Sequence, residues 1–404
     1  MAEMEWLEGG ITAVPGILAS GIHGGIKGNG KRDLALIYSS VPARAAAVFT
    51  TNQVKGAPVQ VSMEHIKGGT AQAIVACSGC SNTCTGEQGI RDAREMTRIV
   101  ADLLGIPTHH VLVASTGIIG RPLPMDRVRA ALPGLVKALS PQGSRHAAEG
   151  ILTTDTVSKE AALRIDVAGR PATIGGIAKG VGMIEPHMAT MFCFLATDVA
   201  VSQEALQAVL KRAVDRSFNR ITVDSDRSTS DTVAILANGL AENTPLDKGS
   251  RGFRSLAKGV EAITLRLARM LVKDGEGATK LVEVRLRGAK SRREAWLAAR
   301  SVANSLLVKT ALNGQDPNWG RIMAALGKSA ATVVAERVAI WFGDEPLVAG
   351  GQLKPDARLG QIREIMARPE YAIQIDLGLG SGQDHVWTCD LSEEYVRINA
   401  KYTT

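Results

Sequence analysis

Between Ile174 and Met188 the chain carries glycines at 175, 176, 180 and 182 and a proline at 186, and from Met191 to Leu195 it is apolar without interruption. Glycine costs a helix interior roughly 1 kcal/mol and proline about 3 kcal/mol, and no 3.6-residue spacing organises the stretch, so a helix is excluded. The pattern predicts a glycine-rich approach to a buried strand, with the Ala189–Thr190 bond at the strand's start. Composition agrees with a fold of close backbone contacts. Glycine is abundant at 42 residues and only 4% are aromatic, which leaves Ala, Val, Leu and Ile to build the core.

Leu34–Tyr38, Ala45–Phe49, Ala73–Ala76 and Ala162–Val167 read as short strands. Val111–Ala114 reads as a buried strand closed by the turn Ser115-Thr116-Gly117. Arg91–Leu104 is helical up to Gly105 and Pro107, and Met125–Leu139 is a helical pattern interrupted by Pro133. Ser202 caps a helix whose face is Leu206, Val209, Leu210, Ala213 and Val214. Gly252–Leu271 and Glu294–Ala311 read as longer helices; Leu281–Leu286 and Val338–Phe342 read as strands. Tyr371–Leu379 alternates with period two and so has one buried face. Strands and helices mix without regular βαβ alternation, which favours a layered α+β architecture over a doubly wound sheet.

The net charge of +7 is spread thinly, with short groups at Lys27–Arg32 and Lys290–Arg293 and no basic stripe interleaved with aromatics, so nucleic acid is not an expected partner. Anionic small molecules suit this balance better. The first ten residues carry Glu3, Glu5 and Glu8 and lack the charge and apolar pattern of a secretory signal. No apolar run reaches the length of a membrane span. Cys77, Cys80, Cys84, Cys193 and Cys389 form no paired framework, and a reduced, cytoplasmic protein is expected.

Thr190 is the candidate nucleophile. A threonine at a strand start is most often structural, and its hydroxyl needs a base. One economical base is the threonine's own α-amino group, freed by a cut before it. Such a group titrates at roughly 7.7–8.0 in model peptides, close enough to neutrality for general-base work.

The segment Lys179–Phe192 resembles the nucleophile motif of the bifunctional ornithine acetyltransferase/N-acetylglutamate synthase family of arginine biosynthesis. Leu34–Ser39, Val48–Asn52, Ala114–Gly120, Thr153–Thr156, Phe218–Val233, Asp316–Ile322 and Tyr395–Thr404 resemble family blocks in the same order, along nearly the whole chain. The resemblance implies a layered α/β/β/α N-terminal-nucleophile-like fold, with mixed sheets faced by helices. It implies self-cleavage between Ala189 and Thr190 into an α chain (1–189) and a β chain (190–404), assembled as α2β2. Thr190 would take acetyl from N-acetylornithine and pass it to glutamate, without a cofactor. Thr116 and Gly117 match the oxyanion pair, and Thr156, Lys179, Thr190, Glu276, Asn399 and Thr404 match substrate-binding positions. Taken singly, Gly117 reads as a strand-ending turn and Lys179 or Glu276 as a solvated surface charge. Some family members also take acetyl from acetyl-CoA; no adenine- or pyrophosphate-binding signature decides whether this chain does.

Cys77 and Cys80 stand where many relatives have asparagines, and a buried small-side-chain role is expected for the Cys77/Cys80/Cys84 group rather than zinc, which needs four ligands. Val181, Glu185 and His187, and Ser225, Arg227 and Ser230, also depart from common choices; Gly, Thr and Asn are frequent at the last three. Asn219, Asp224, Asp226 and Asp231 invite a metal, but the segment lacks the glycine and distal glutamate of a calcium loop, so no metal is expected. Two other classes stay open: a related self-processed hydrolase or aminopeptidase, in which water takes the acyl group, and a non-enzymatic scaffold of the same fold.

Overall fold

A computed structural model describes residues 4–185 and 191–401. Ala189, Thr190, Thr404 and His187 therefore lie outside the described residues, as does the expected boundary between the two chains. The described chain forms two compact units. One comprises residues up to Asn219 together with Asp226–Leu271, the other Arg220–Ser225 with the residues from Val272 onward.

The first unit is organised by a mixed nine-stranded sheet. Its strands lie in the order Glu5–Leu7, Lys159–Val167, Arg170–Lys179, Phe192–Thr197, Thr232–Ala237, Leu34–Phe49, Thr70–Cys80, Val111–Ile118, with Ile17–Ile22 also paired to Leu34–Phe49. Phe192–Thr197 pairs in parallel with Thr232–Ala237, and Thr70–Cys80 with Val111–Ile118; the other pairs are antiparallel. Alternation decides the two faces. Leu34, Leu36, Ala73, Val75, Val111 and Val113 pack with Met96, Val100, Val128 and Leu132 of covering helices, whereas Ala35, Ile37, Ile74, Leu112 and Ala114 pack with Ala147, Ala148 and Phe194 on the other side.

Several expectations need correction here. The two runs Leu34–Tyr38 and Ala45–Phe49 belong to one strand, Leu34–Phe49, whose register with Thr70–Cys80 shifts between Tyr38 and Ala43. That irregularity accommodates Pro42, which cannot donate to a ladder. Ser115-Thr116-Gly117 does not close its strand; the ladder continues to Ile118. Pro133 sits inside the helix Met125–Lys137 without ending it. Ser202 caps the helix Gln203–Arg216 as expected, accepting from Ala205 N–H at 3.4 Å.

The second unit holds a mixed seven-stranded sheet in the order Gln352–Leu353, Glu345–Ala349, Ala339–Phe342, Glu370–Asp376, Leu281–Ala289, Gly382–Cys389, Ile221–Thr222. Tyr371, Ile373 and Ile375 are buried, as their alternation required. They join Val282, Val284 and Leu286 beneath the helix Arg292–Ala303, which presents Ala295, Ala298, Ala299 and Val302 at helical spacing. The single helix expected over Glu294–Ala311 is instead two. The first ends at Ala303, and Ser305 caps a second, Leu306–Asn313, by accepting from Val308 N–H at 3.4 Å. Serine competes for backbone hydrogen bonds inside a helix and favours its start, which is why the break falls there. Among the described residues no helix is long and apolar enough to cross a membrane.

Candidate active site

The oxyanion candidates sit on a sheet strand, not on a loop. In the parallel ladder Thr116 is the register partner of Ser78, and Gly117 of Gly79. Gly117 has φ +125°, and a Cβ there would stand 2.5 Å from the carbonyl carbon of Gly79. Both the backbone angle and the close approach therefore require glycine. Ser115 turns toward Cys77, whose thiol donates to its hydroxyl at 3.0 Å; alternation then sends Thr116 to the opposite face.

That face is met by Lys179, the last residue of the strand Arg170–Lys179. Lys179 is 2% exposed. This contradicts the surface-charge reading and makes it a buried cation beside Thr116. Its Nζ donates to Thr153 Oγ1 at 2.9 Å and to Thr116 Oγ1 at 3.4 Å. A buried ammonium needs a compensating charge, and Asp155 supplies it. Asp155 is itself buried; it accepts from Lys159 Nζ at 2.8 Å, Gly180 N–H at 2.8 Å and Thr153 N–H at 3.1 Å. Burial opposes its charge, but Lys179, Lys159 and the Gly180 N–H outweigh burial and hold the carboxyl below its ordinary value. Thr156 follows at the exposed end of this run.

Met191 N–H donates to Asp231 Oδ1 at 2.8 Å. Asp231 is wholly buried, and among the described residues its Oδ2 has no hydrogen-bond partner. Burial pushes its carboxyl well above the ordinary range, against the opposing pull of the Met191 N–H, Lys179 and Arg227. Asp231 is thus a buried anchor for the Met191 peptide nitrogen.

Glu276 and Asn399 belong to the second unit, where Asn399 Nδ2 donates to Glu276 Oε2 at 2.8 Å. Asn399 lies on the helix Glu393–Lys401. Tyr395, one turn before it, donates to Asp224 Oδ2 at 3.3 Å. Asn219 donates to Asp215 at 3.0 Å. Among the described residues no group of three potential metal ligands comes together.

Cys77 and Cys80 are buried, with Cys80 Sγ donating to Arg121 O at 3.1 Å, but Cys84 is exposed, against expectation. Burial raises both buried thiols, which makes them packing groups rather than nucleophiles. Sequence reasoning placed Asp231 among possible metal ligands and gave no role to Lys27, Asp155 or Lys159. The Asp155/Lys159 spacing offered no cue, because their meeting depends on the hairpin that brings Gly180 beside them.

A family model, described as the ArgJ family, matches residues 18–404. The arginine biosynthesis bifunctional protein ArgJ of Symbiobacterium thermophilum is 49% identical over 403 residues, covering 99% of this chain and 100% of that one. The protein of the same name from Geobacter sulfurreducens is 49% identical over 391 residues, covering 97% and 100%. Among solved structures, the ornithine acetyltransferase of Mycobacterium tuberculosis in complex with ornithine is 38% identical, covers 46% of this chain and 98% of that chain, and has a TM-score of 0.43.

Proposed function

This chain belongs to the ArgJ family, and we infer from that premise that it is an acyltransferase of arginine biosynthesis, an ornithine acetyltransferase that moves acetyl from N2-acetylornithine to glutamate. Thr190 is the nucleophile. The chain cuts itself between Ala189 and Thr190, and the α-amino group so freed serves as the base for the Thr190 hydroxyl. Attack on the acetyl carbonyl gives an acetyl-enzyme and releases ornithine; glutamate's amine then takes the acetyl. One amide is exchanged for a similar one, so no cofactor is called for.

The observation that carries this reading is the setting of Thr116. Its oxygen already accepts from Lys179, so its own O–H is available to donate to a developing oxyanion beside the Gly117 N–H. Lys179 suits a substrate carboxylate, and Glu276 with Asn399 suits the ornithine ammonium. Thr156 and Thr404 complete the substrate contacts that the family resemblance implies. We place the enzyme in the cytoplasm as an α2β2 assembly.

The test is intact mass of purified protein beside its Thr190→Ala variant, followed by an assay of acetyl transfer to glutamate. Two fragments meeting at Ala189/Thr190, absent from the variant, together with N-acetylglutamate formation, are expected. A single uncut wild-type chain would remove the base and sink the mechanism; net hydrolysis without transfer would point to the hydrolase class instead.

A further inference from the structure

A second ammonium group approaches the strand that carries Thr116 and Gly117 from another loop. Asp33, wholly buried, accepts from the N–H groups of Gly24, Ile26 and Lys27, the last two at 2.7 and 2.9 Å. This folds the loop around one carboxylate and lays the Lys27 stem against Gly79, where an added Cβ would stand 2.9 Å from Lys27 Cγ. Gly79 is the register partner of Gly117. Lys27 Nζ donates to Arg32 O at 2.9 Å and to Leu152 O at 2.6 Å. Leu152 immediately precedes Thr153, the residue whose hydroxyl receives Lys179. The third N–H of the Lys27 ammonium has no partner among the described residues, and the residue is only partly buried.

Asp33 and Lys31 face Lys27 from its own loop, Asp155 from the run after Leu152, and Lys179 from the end of its strand. Asp155 acts on Lys27 as well as on Lys159 and Lys179, and the buried Asp231 also feels Lys179. Burial pushes the Lys27 ammonium down to about 8; Asp33 pulls it back up and Lys179 adds to the fall. A partly buried ammonium with an open N–H gains from an anion that arrives beside it.

We propose that Lys27 is the second cation of the carboxylate subsite headed by Lys179, a binding residue for the amino-acid carboxylate of donor and acceptor alike. This rests on the assignment of Lys179 to substrate binding in the proposed function. The incoming carboxylate takes the third N–H of Lys27 and favours its charged form, which otherwise titrates at about 8. Binding is therefore proton-linked on the alkaline side. A Lys27 that has lost its proton offers one charge fewer, and affinity falls as pH rises through its titration.

The experiment compares wild type, Lys27→Arg and Lys27→Met in the first half-reaction, ornithine release from N-acetylornithine, from pH 6.5 to 9.5. Lys27→Met should raise KM for N-acetylornithine and for glutamate by about tenfold or more, as expected for loss of a charge-assisted hydrogen bond, with kcat changed much less. Lys27→Arg should keep KM near wild type at pH 7 and lack the fall in kcat/KM that wild type shows near pH 8, because a guanidinium does not titrate there. A Lys27→Met KM within about twofold of wild type, or an alkaline fall that persists in Lys27→Arg or is missing from wild type, overturns the proposal. Should Lys27→Met not fold, the Arg profile decides alone. A wild type that releases no ornithine overturns the functional reading and this proposal with it, whereas active variants with unchanged KM and pH profile overturn this proposal only.

Discussion

The Lys179 ammonium lies 3.4 Å from Thr116 Oγ1 and donates to it. The threonine oxygen is thereby engaged as an acceptor and its proton is directed elsewhere. Thr116→Ala should lower kcat by about 10²–10³, the usual loss of one oxyanion donor, with little change in KM, while Thr116→Ser keeps most of the activity. Steady-state kinetics at pH 7.5 decide it; an equal loss in Ser and Ala variants would mean that the methyl group, not the hydroxyl, matters.

Gly117→Ala should be structural before it is catalytic. The added methyl meets the Gly79 carbonyl carbon at 2.5 Å in a backbone at φ +125°. Left-handed strain and overpacking together predict a loss of about 2–5 kcal/mol. Urea denaturation reads it, and a variant as stable as wild type would contradict the geometry of the ladder.

Asp231→Asn tests the raised carboxyl through pH. Asp231 has a folded-state value above its unfolded one. Its contribution to stability is therefore full below the unfolded carboxylate value, about 3.9, and is lost as pH rises through the folded value. Asparagine can keep the bond from Met191 N–H and cannot ionise. Relative to wild type, the variant should gain stability as pH rises above the unfolded carboxylate value, about 3.9, in urea titrations. A difference that does not change with pH would show that Asp231 carries its charge.

Glu276→Gln should raise KM for N-acetylornithine by about 10–100-fold, the range of a hydrogen bond to a charged group, and leave KM for glutamate within a few-fold. Asn399→Ala should do less, because Asn399 is exposed and its bond to Glu276 is open to solvent. Equal rises for both substrates would remove Glu276 from ammonium recognition.

Periodicity located most elements, since Tyr371, Ile373 and Ile375 or Leu206, Val209 and Leu210 bury one face whatever the tertiary context. Element ends were less legible. Thr116 and Gly117 looked like a turn because glycine usually ends strands; here it serves a close approach between neighbouring strands. The burial of Lys179 was not readable either, because its compensation comes from Asp155, which is distant along the chain. Ser225 was legible as a departure where relatives often have glycine, and its φ of +64° gives the reason for glycine there. Ser225→Gly should accordingly stabilise the protein by about 1 kcal/mol, measurable as a raised Tm.

The strand Phe192–Thr197 lies inside its sheet, hydrogen-bonded to Arg170–Lys179 on one side and to Thr232–Ala237 on the other, and Thr232–Ala237 is bonded in turn to Leu34–Phe49. A backbone scission between Lys179 and Phe192 would therefore leave two polypeptides woven through a single ladder. They could part only by tearing the sheet, so they should co-migrate under every condition short of denaturation. Once separated in denaturant, each would lack half of the framework on which it first folded. The uncut chain would then be the form that folds, and a processed enzyme would persist by the slowness of its undoing.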